Sequence, residues 1–244
     1  MENLVQQNKI VASDADALFE EVICAFVESG TLVTPDSVNT KDDDVIFELI
    51  NANLVLTNPT KNTMLNYPRK MSLKYAIAEL LWYNSCNTNL SAIASYSKFW
   101  QNISDDGKTV NSNYGHCIRK KFGFDQWEIC KKLLQNDTKT RQAVIHIKEA
   151  RNIIATPTKD LNCTISLQFF IRNNKLDLIV TMRSNDVWLG LPYDLFNFTC
   201  MQIQMAMELG IEVGTYYHNA GSLHMYYRDY KKLKEVCDND SRTT

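Results

Sequence analysis

Two runs of alternating apolar and polar residues, Thr164 to Arg172 and Lys175 to Arg183, are separated by Asn173-Asn174 alone. A period of two turns one side of each run toward a core, and a pair of asparagines tolerates the backbone of a two-residue hairpin turn. An antiparallel hairpin therefore anchors the second half of the chain. Ala143 to Ile147 reads as a strand before it, and Ile211 to Tyr217 as a strand after it. Between them, an apolar helix runs from about Asp194 to Leu209, with Gly210 as its C-cap. Helical spacing marks three earlier segments. The first begins near Ser13 or Asp14, carries Leu18, Phe19, Val22, Ile23, Phe26 and Val27, and stops at Gly30. The second runs from Ser72 to about Tyr83 with Leu73, Ile77, Leu80 and Leu81 as its apolar set, and the third covers Phe124 to Leu134. Asp229 to Val236 reads as a last short helix. Strands that cluster rather than alternate with helices predict an α+β fold, a mixed β-sheet packed by helices.

The 244 residues, 45% of them apolar, fit one domain over 1–244 whose ends, 1–11 and 238–244, read as loose. The net charge of −2 argues against a general nucleic-acid binder, so no direct nucleic-acid contact is expected. No apolar run approaches the roughly 20 residues of a membrane span, and Met1 to Lys9 lacks the core of a secretory signal. Seven cysteines without a Cys-x-x-Cys pair, and four histidines without a His-x-x-x-His pattern, predict no metal site. Free thiols fit a reducing cytoplasm.

Polar chemistry concentrates between Arg183 and Asp194, where the chain leaves a strand, crosses a turn and enters a helix. Arg183 beside Ser184 can grip phosphate oxygens through a charged fork and a hydroxyl, although a surface arginine beside a capping serine reads the same way. Asp194 at the helix start has the ordinary role of an N-cap as its alternative. Glu79 lies within Ala78-Glu79-Leu80-Leu81-Trp82, where a buried carboxyl has a raised pKa suited to proton transfer; otherwise it is the polar edge of the helix. Cys163 precedes an alternating strand and is either a nucleophile or an inert filler. Arg141 offers a second cation or an exposed loop charge. Ser222 and His224, two apart, would face one side of a strand.

These pieces occur together in one order, and so the chain resembles the thymidylate synthase family. The matching segments are Glu79-Leu80-Leu81-Trp82, Asn113-Tyr114-Gly115, Asn162-Cys163 with Gln168-Phe169, the Arg183-to-Asp194 run, and His224-Met225-Tyr226. Within the family it looks most like the phage-type deoxycytidylate hydroxymethylases, through Asn111 to Gly115, Met182 to Asp186, and Gly221 to His224. Thr164 follows the cysteine where the family usually has histidine, and Asp194 stands where it usually has asparagine. Thr140 replaces one of two paired arginines, leaving Arg141 with Lys139 nearby. Arg69 and Lys70 are the nearest match to an N-terminal arginine loop, and the family's closing C-terminal segment is not recognisable in Asp240 to Thr244.

The resemblance implies a homodimer joined through a sheet face. It also implies one-carbon transfer from 5,10-methylenetetrahydrofolate, the cosubstrate, to C5 of a pyrimidine nucleoside monophosphate. By the same resemblance, Cys163 attacks C6, and Glu79 positions water and moves protons. Arg183, Ser184 and a partner-donated Arg141 hold phosphate, and His224 and Tyr226 hold the 3′-hydroxyl. Asn185 falls among the substrate-binding residues. Asp186 accepts from the pterin, Gly190 permits its close approach, and Trp100 forms a folate wall. Cytosine presents an acceptor at N3 beside a donor at N4, which a carboxyl sharing a proton can match; uracil presents the reverse, which an amide matches. Asp194 therefore predicts dCMP as substrate and 5-hydroxymethyl-dCMP as product. Thymidylate synthase and dUMP or CMP hydroxymethylase are the neighbouring activities. A non-catalytic nucleotide-binding homologue is the reading from a different class.

Overall fold

The computed structural model describes residues 9–34, 45–66, 69–149 and 158–230. Among them run strands β1 (Lys9–Ala12), β2 (Thr31–Val33), β3 (Ile46–Leu56), β4 (Val144–His146), β5 (Thr164–Arg172), β6 (Lys175–Asp186) and β7 (Glu212–Tyr226). The α-helices are α1 (Ala15–Ser29), α2 (Leu73–Ser85), α3 (Phe99–Ile103), α4 (Tyr114–Arg119), α5 (Gln126–Asn136) and α6 (Leu191–Leu209).

The strands form one mixed sheet in the order β1-β3-β7-β6-β5-β4, with β2 beside β3. The predicted hairpin is β5–β6. Asn173 and Asn174 take φ of 51° and 58°, the left-handed pair that a tight hairpin requires. β6 and β7 are parallel, so a crossover must join them, and α6 supplies it. Gly210, at φ 68°, ends α6 as expected. Asp14 caps α1 by accepting from the Ala17 amide at 2.9 Å, and Leu18, Phe19, Val22, Ile23 and Phe26 are buried beneath it.

Four expectations change. Lys9 to Val11 are not loose: with Ala12 they pair in parallel with Asn53 to Leu56; residues 1–8 and 238–244 lie outside the described ones. Phe124 is exposed and precedes α5, which starts at Gln126 with Asp125 as its N-cap. α2 presents its other side: Leu73, Ile77 and Leu81 are exposed, while Ala76, Glu79, Trp82 and Tyr83 are buried. The aromatic rings of α2 and α4 pack there, with Tyr83 stacked on Tyr114 at 5.1 Å. The last strand does not stop at Tyr217 but continues to Tyr226. Its buried positions are even up to Ala220 and odd from Leu223, so the alternation changes phase at Gly221. β6 changes phase beside it, from Met182 inward to Asn185 inward. A Cβ on Gly221 would stand 3.1 Å from the Arg183 carbonyl oxygen, which explains the glycine. The phase change leaves Arg183 exposed and turns Asn185 into the core. Residues 227–230 are helical; the rest of the predicted last helix lies outside the described residues.

Candidate active site

The hairpin brings Cys163 to Arg183. The Arg183 amide donates to the Cys163 carbonyl at 2.9 Å. The guanidinium then folds over the same backbone, donating from Nε to Asn162 O at 3.2 Å and from Nη2 to Leu161 O at 3.0 Å. Nη2 also lies 3.7 Å from Cys163 Sγ. Burial pushes the half-buried thiol up; Arg183 and then Lys148 pull the other way. Lys148 was not legible in the sequence as a site residue, because it follows β4 and reaches this corner only through the sheet.

Asp194 lies in the first turn of α6, where Gly190 rather than Asp194 is the N-cap. Its Oδ2 accepts from Asn185 Nδ2 at 2.7 Å. Burial raises its pKa to about 7, with Asn185 opposing and Asp186 adding to the rise. Gly190 is indeed a point of close approach. What approaches is the protein itself: a Cβ there would meet Asn185 Nδ2 at 3.2 Å and Asp194 Oδ2 at 3.3 Å.

Glu79 is buried as predicted. Tyr75 donates to its Oε1 at 2.6 Å and Asn197 to its Oε2 at 2.8 Å. Burial raises its pKa to about 8; those two hydrogen bonds oppose the rise and Asp194 reinforces it. Trp100 is buried, and its indole N–H donates to Tyr75 Oη at 3.0 Å. It is therefore a member of the Glu79 network. Tyr75 and Asn197 gave no sequence signal, since each matters only through its contact with Glu79.

Ser184 Oγ lies 3.3 Å from His224 Nδ1. The His224 and Tyr226 rings sit 5.7 Å apart on one side of β7, as their two-residue spacing predicts. Burial lowers the His224 pKa and Asp186 opposes that. Asp186 Oδ1 is committed to its own turn, accepting from the Trp188 and Leu189 amides at 2.8 and 2.7 Å. Arg69 donates from Nε to Trp188 O at 2.8 Å and lies over the Trp188 and Tyr193 rings, so it braces the 183–194 segment. Arg141 is exposed before β4, and its carbonyl accepts from Gln168. No contact among the described residues joins it to Cys163 or Arg183. A cleft of about 490 Å³ is lined in part by Leu161 and Asn162 but not by Cys163, Arg183, Asp194 or Glu79. Among the described residues, no three His, Cys, Asp or Glu side chains converge as a metal site, and no helix is long and apolar enough to cross a membrane.

A mixed sheet that places a thiol against an arginine, with two near-neutral carboxyls on the helices above, defines the class. The fold is that of a solved thermostable thymidylate synthase A from Bacillus subtilis, with a TM-score of 0.73 at 24% identity over 90% of this chain and 82% of that one. The thymidylate synthase family profile matches residues 38–244, and the chain belongs to that family. It is 31% identical over 225 residues to a deoxyuridylate hydroxymethyltransferase of Bacillus phage SP01, covering 87% of this chain and 57% of the relative. It is 28% identical over 179 residues to thymidylate synthase 1 of Bacillus spizizenii, covering 68% and 62%. The chain thus spans about three fifths of the length of these relatives.

Proposed function

We propose that the protein transfers a one-carbon unit from 5,10-methylenetetrahydrofolate to C5 of dCMP and adds water, giving 5-hydroxymethyl-dCMP and tetrahydrofolate. The observation that carries this reading is Asp194: a partly open carboxyl whose pKa of about 7 leaves it substantially protonated near neutrality, in place of an amide. A protonated carboxyl donates to N3 and accepts from N4 of cytosine. An ionised one facing uracil O4 would leave acceptor against acceptor, at a cost of about 1–3 kcal/mol.

The cosubstrate supplies the one-carbon unit at the oxidation level of formaldehyde. The half-exposed ring of Phe99, packed on buried Trp100 at 5.3 Å, suits contact with a flat ring system. The thiol of Cys163 loses its proton beside Arg183 and Lys148, and the thiolate adds to C6. That addition places an electron pair at C5, which forms the new carbon–carbon bond. The Asp194 proton offsets the charge that the ring gains. Loss of the C5 proton and departure of tetrahydrofolate leave an exocyclic methylene. Glu79, with a pKa of about 8, holds the proton and orients the water that adds to this methylene. The thiolate then leaves C6 and the ring regains aromaticity. Arg183 and Ser184 hold phosphate, with Arg141 reaching in from a second copy across the sheet face, and His224 and Tyr226 hold the sugar.

Hydroxymethylation of dUMP is the second reading, favoured by the likeness to the phage deoxyuridylate hydroxymethyltransferase. Incubating the chain with methylenetetrahydrofolate and dCMP, CMP or dUMP in turn, with products identified by mass, decides between them. Hydroxymethyl-dCMP is expected. A methylated product, or turnover of dUMP in preference to dCMP, overturns the reading.

A further inference from the structure

Behind Asp194 the chain buries three polar side chains that the chemistry above does not use. Asn185, His218 and Tyr216 are 2%, 0% and 0% exposed, whereas Asp194 is partly open. They stand in single file. Tyr216 Oη is 2.9 Å from His218 Nδ1, His218 Nε2 is 3.1 Å from Asn185 Oδ1, and Asn185 Nδ2 is 2.7 Å from Asp194 Oδ2.

Donor and acceptor roles follow from the Asp194 end. An amide nitrogen only donates, so Asp194 Oδ2 accepts. An amide oxygen only accepts, so His218 Nε2 carries the hydrogen. Burial lowers the His218 pKa to about 4, which keeps the ring neutral with a single N–H. Its Nδ1 then accepts from the Tyr216 hydroxyl. Every bond in the file donates toward Asp194.

That direction matters to a carboxyl group. A neutral carboxyl has one donating and one accepting oxygen, and exchanging them converts a match for cytosine into a match for uracil. A fixed donor at Oδ2 removes the exchange.

We infer that the Tyr216–His218–Asn185 file is a specificity device: it holds Asp194 Oδ2 as an acceptor, leaves the proton on Oδ1, and so sets which pyrimidine the site prefers. This rests on Asp194 facing the base, as proposed above, and adds that its polarity is imposed from behind. The three are positioning residues, since of the four groups in the file only Asp194 touches the nucleotide.

The test is calorimetric binding of dCMP and of dUMP to the full chain and to three variants. His218→Leu frees the Asn185 amide to turn over, and the ratio of dCMP to dUMP affinity is expected to fall about tenfold. Tyr216→Phe releases the imidazole tautomer and shifts the ratio less, in the same direction. His218→Gln keeps a donor toward Asn185 and restores most of the ratio. A merely structural role would weaken both nucleotides alike. Unchanged ratios in His218→Leu and Tyr216→Phe overturn the inference, and Tyr216→Phe, the loss of one hydroxyl, carries the test should His218→Leu fail to fold. A wild-type preference for dUMP would end the dCMP reading but not this one, which then requires the same variants to erode that preference. A chain that binds neither nucleotide overturns both.

Discussion

At the residue scale, two carboxyls differ in their surroundings, and the proposed reading gives them different work. Asp194 touches one fixed donor and is partly open, and under the proposed reading exchanging its chemistry should exchange its base. Asp194→Asn is expected to bind dUMP over dCMP, read as the ratio of kcat/KM for the two nucleotides. Glu79 is enclosed, and Glu79→Gln should lower kcat by about 10²-fold or more while nucleotide affinity is kept, measured at saturating substrate. Its folded pKa of about 8 lies above the ordinary 4.5. The stability linked to its proton is therefore full below about pH 4.5 and is lost as pH rises through about 8. Thermal melts from pH 5 to 9 should show the wild type losing ground to Glu79→Gln toward the alkaline end. Cys163, Arg183 and Asp194 were legible in the sequence because they sit in contiguous motifs. Lys148, Tyr75 and His218 were not, because each acquires meaning only from a partner far along the chain.

At the element scale, periodicity identified α1, α6 and the β5–β6 hairpin, whose stops and turn residues agree with their patterns, although α6 starts at Leu191 rather than Asp194. It misjudged α2, where the apolar stripe Leu73, Ile77 and Leu81 faces out and Glu79 faces in. A helix carrying aromatic rings and a buried carboxyl on its inner side has no simple amphipathic signature. β7 was cut short because its alternation changes phase at Gly221, and a period-two pattern cannot be followed across such a step. The α2–α4 contact constrains the placement of α2, which carries Glu79. A Cβ on Gly115 would stand 1.6 Å from the Tyr83 carbonyl oxygen, so the helices would have to part. Gly115→Ala should cost about 1–3 kcal/mol or more in urea unfolding, and should lower activity further than the stability loss explains.

At the scale of the whole molecule, the exposed position of Arg141 makes sense if it serves another copy. Mixing inactive Arg141→Ala with inactive Cys163→Ser should then regenerate one intact site in each mixed dimer, about a quarter of wild-type activity at random assortment. No recovery would mean that each chain holds its phosphate alone. Strands β4 to β7, helices α1, α2, α5 and α6 and the order of the motifs were legible from one sequence; β1 to β3, α3 and α4 were not, and a second copy entered only as what the resemblance implies, because a partner's side chain leaves no mark on local pattern. The link from Trp100 through Tyr75 to Glu79 gives the molecule an optical indicator. When Glu79 ionises, the negative charge reaches the indole through one phenol, so the fluorescence should step near pH 8 and the step should vanish in Glu79→Gln. The light emitted by a single ring would then report whether the proton needed for chemistry is in place.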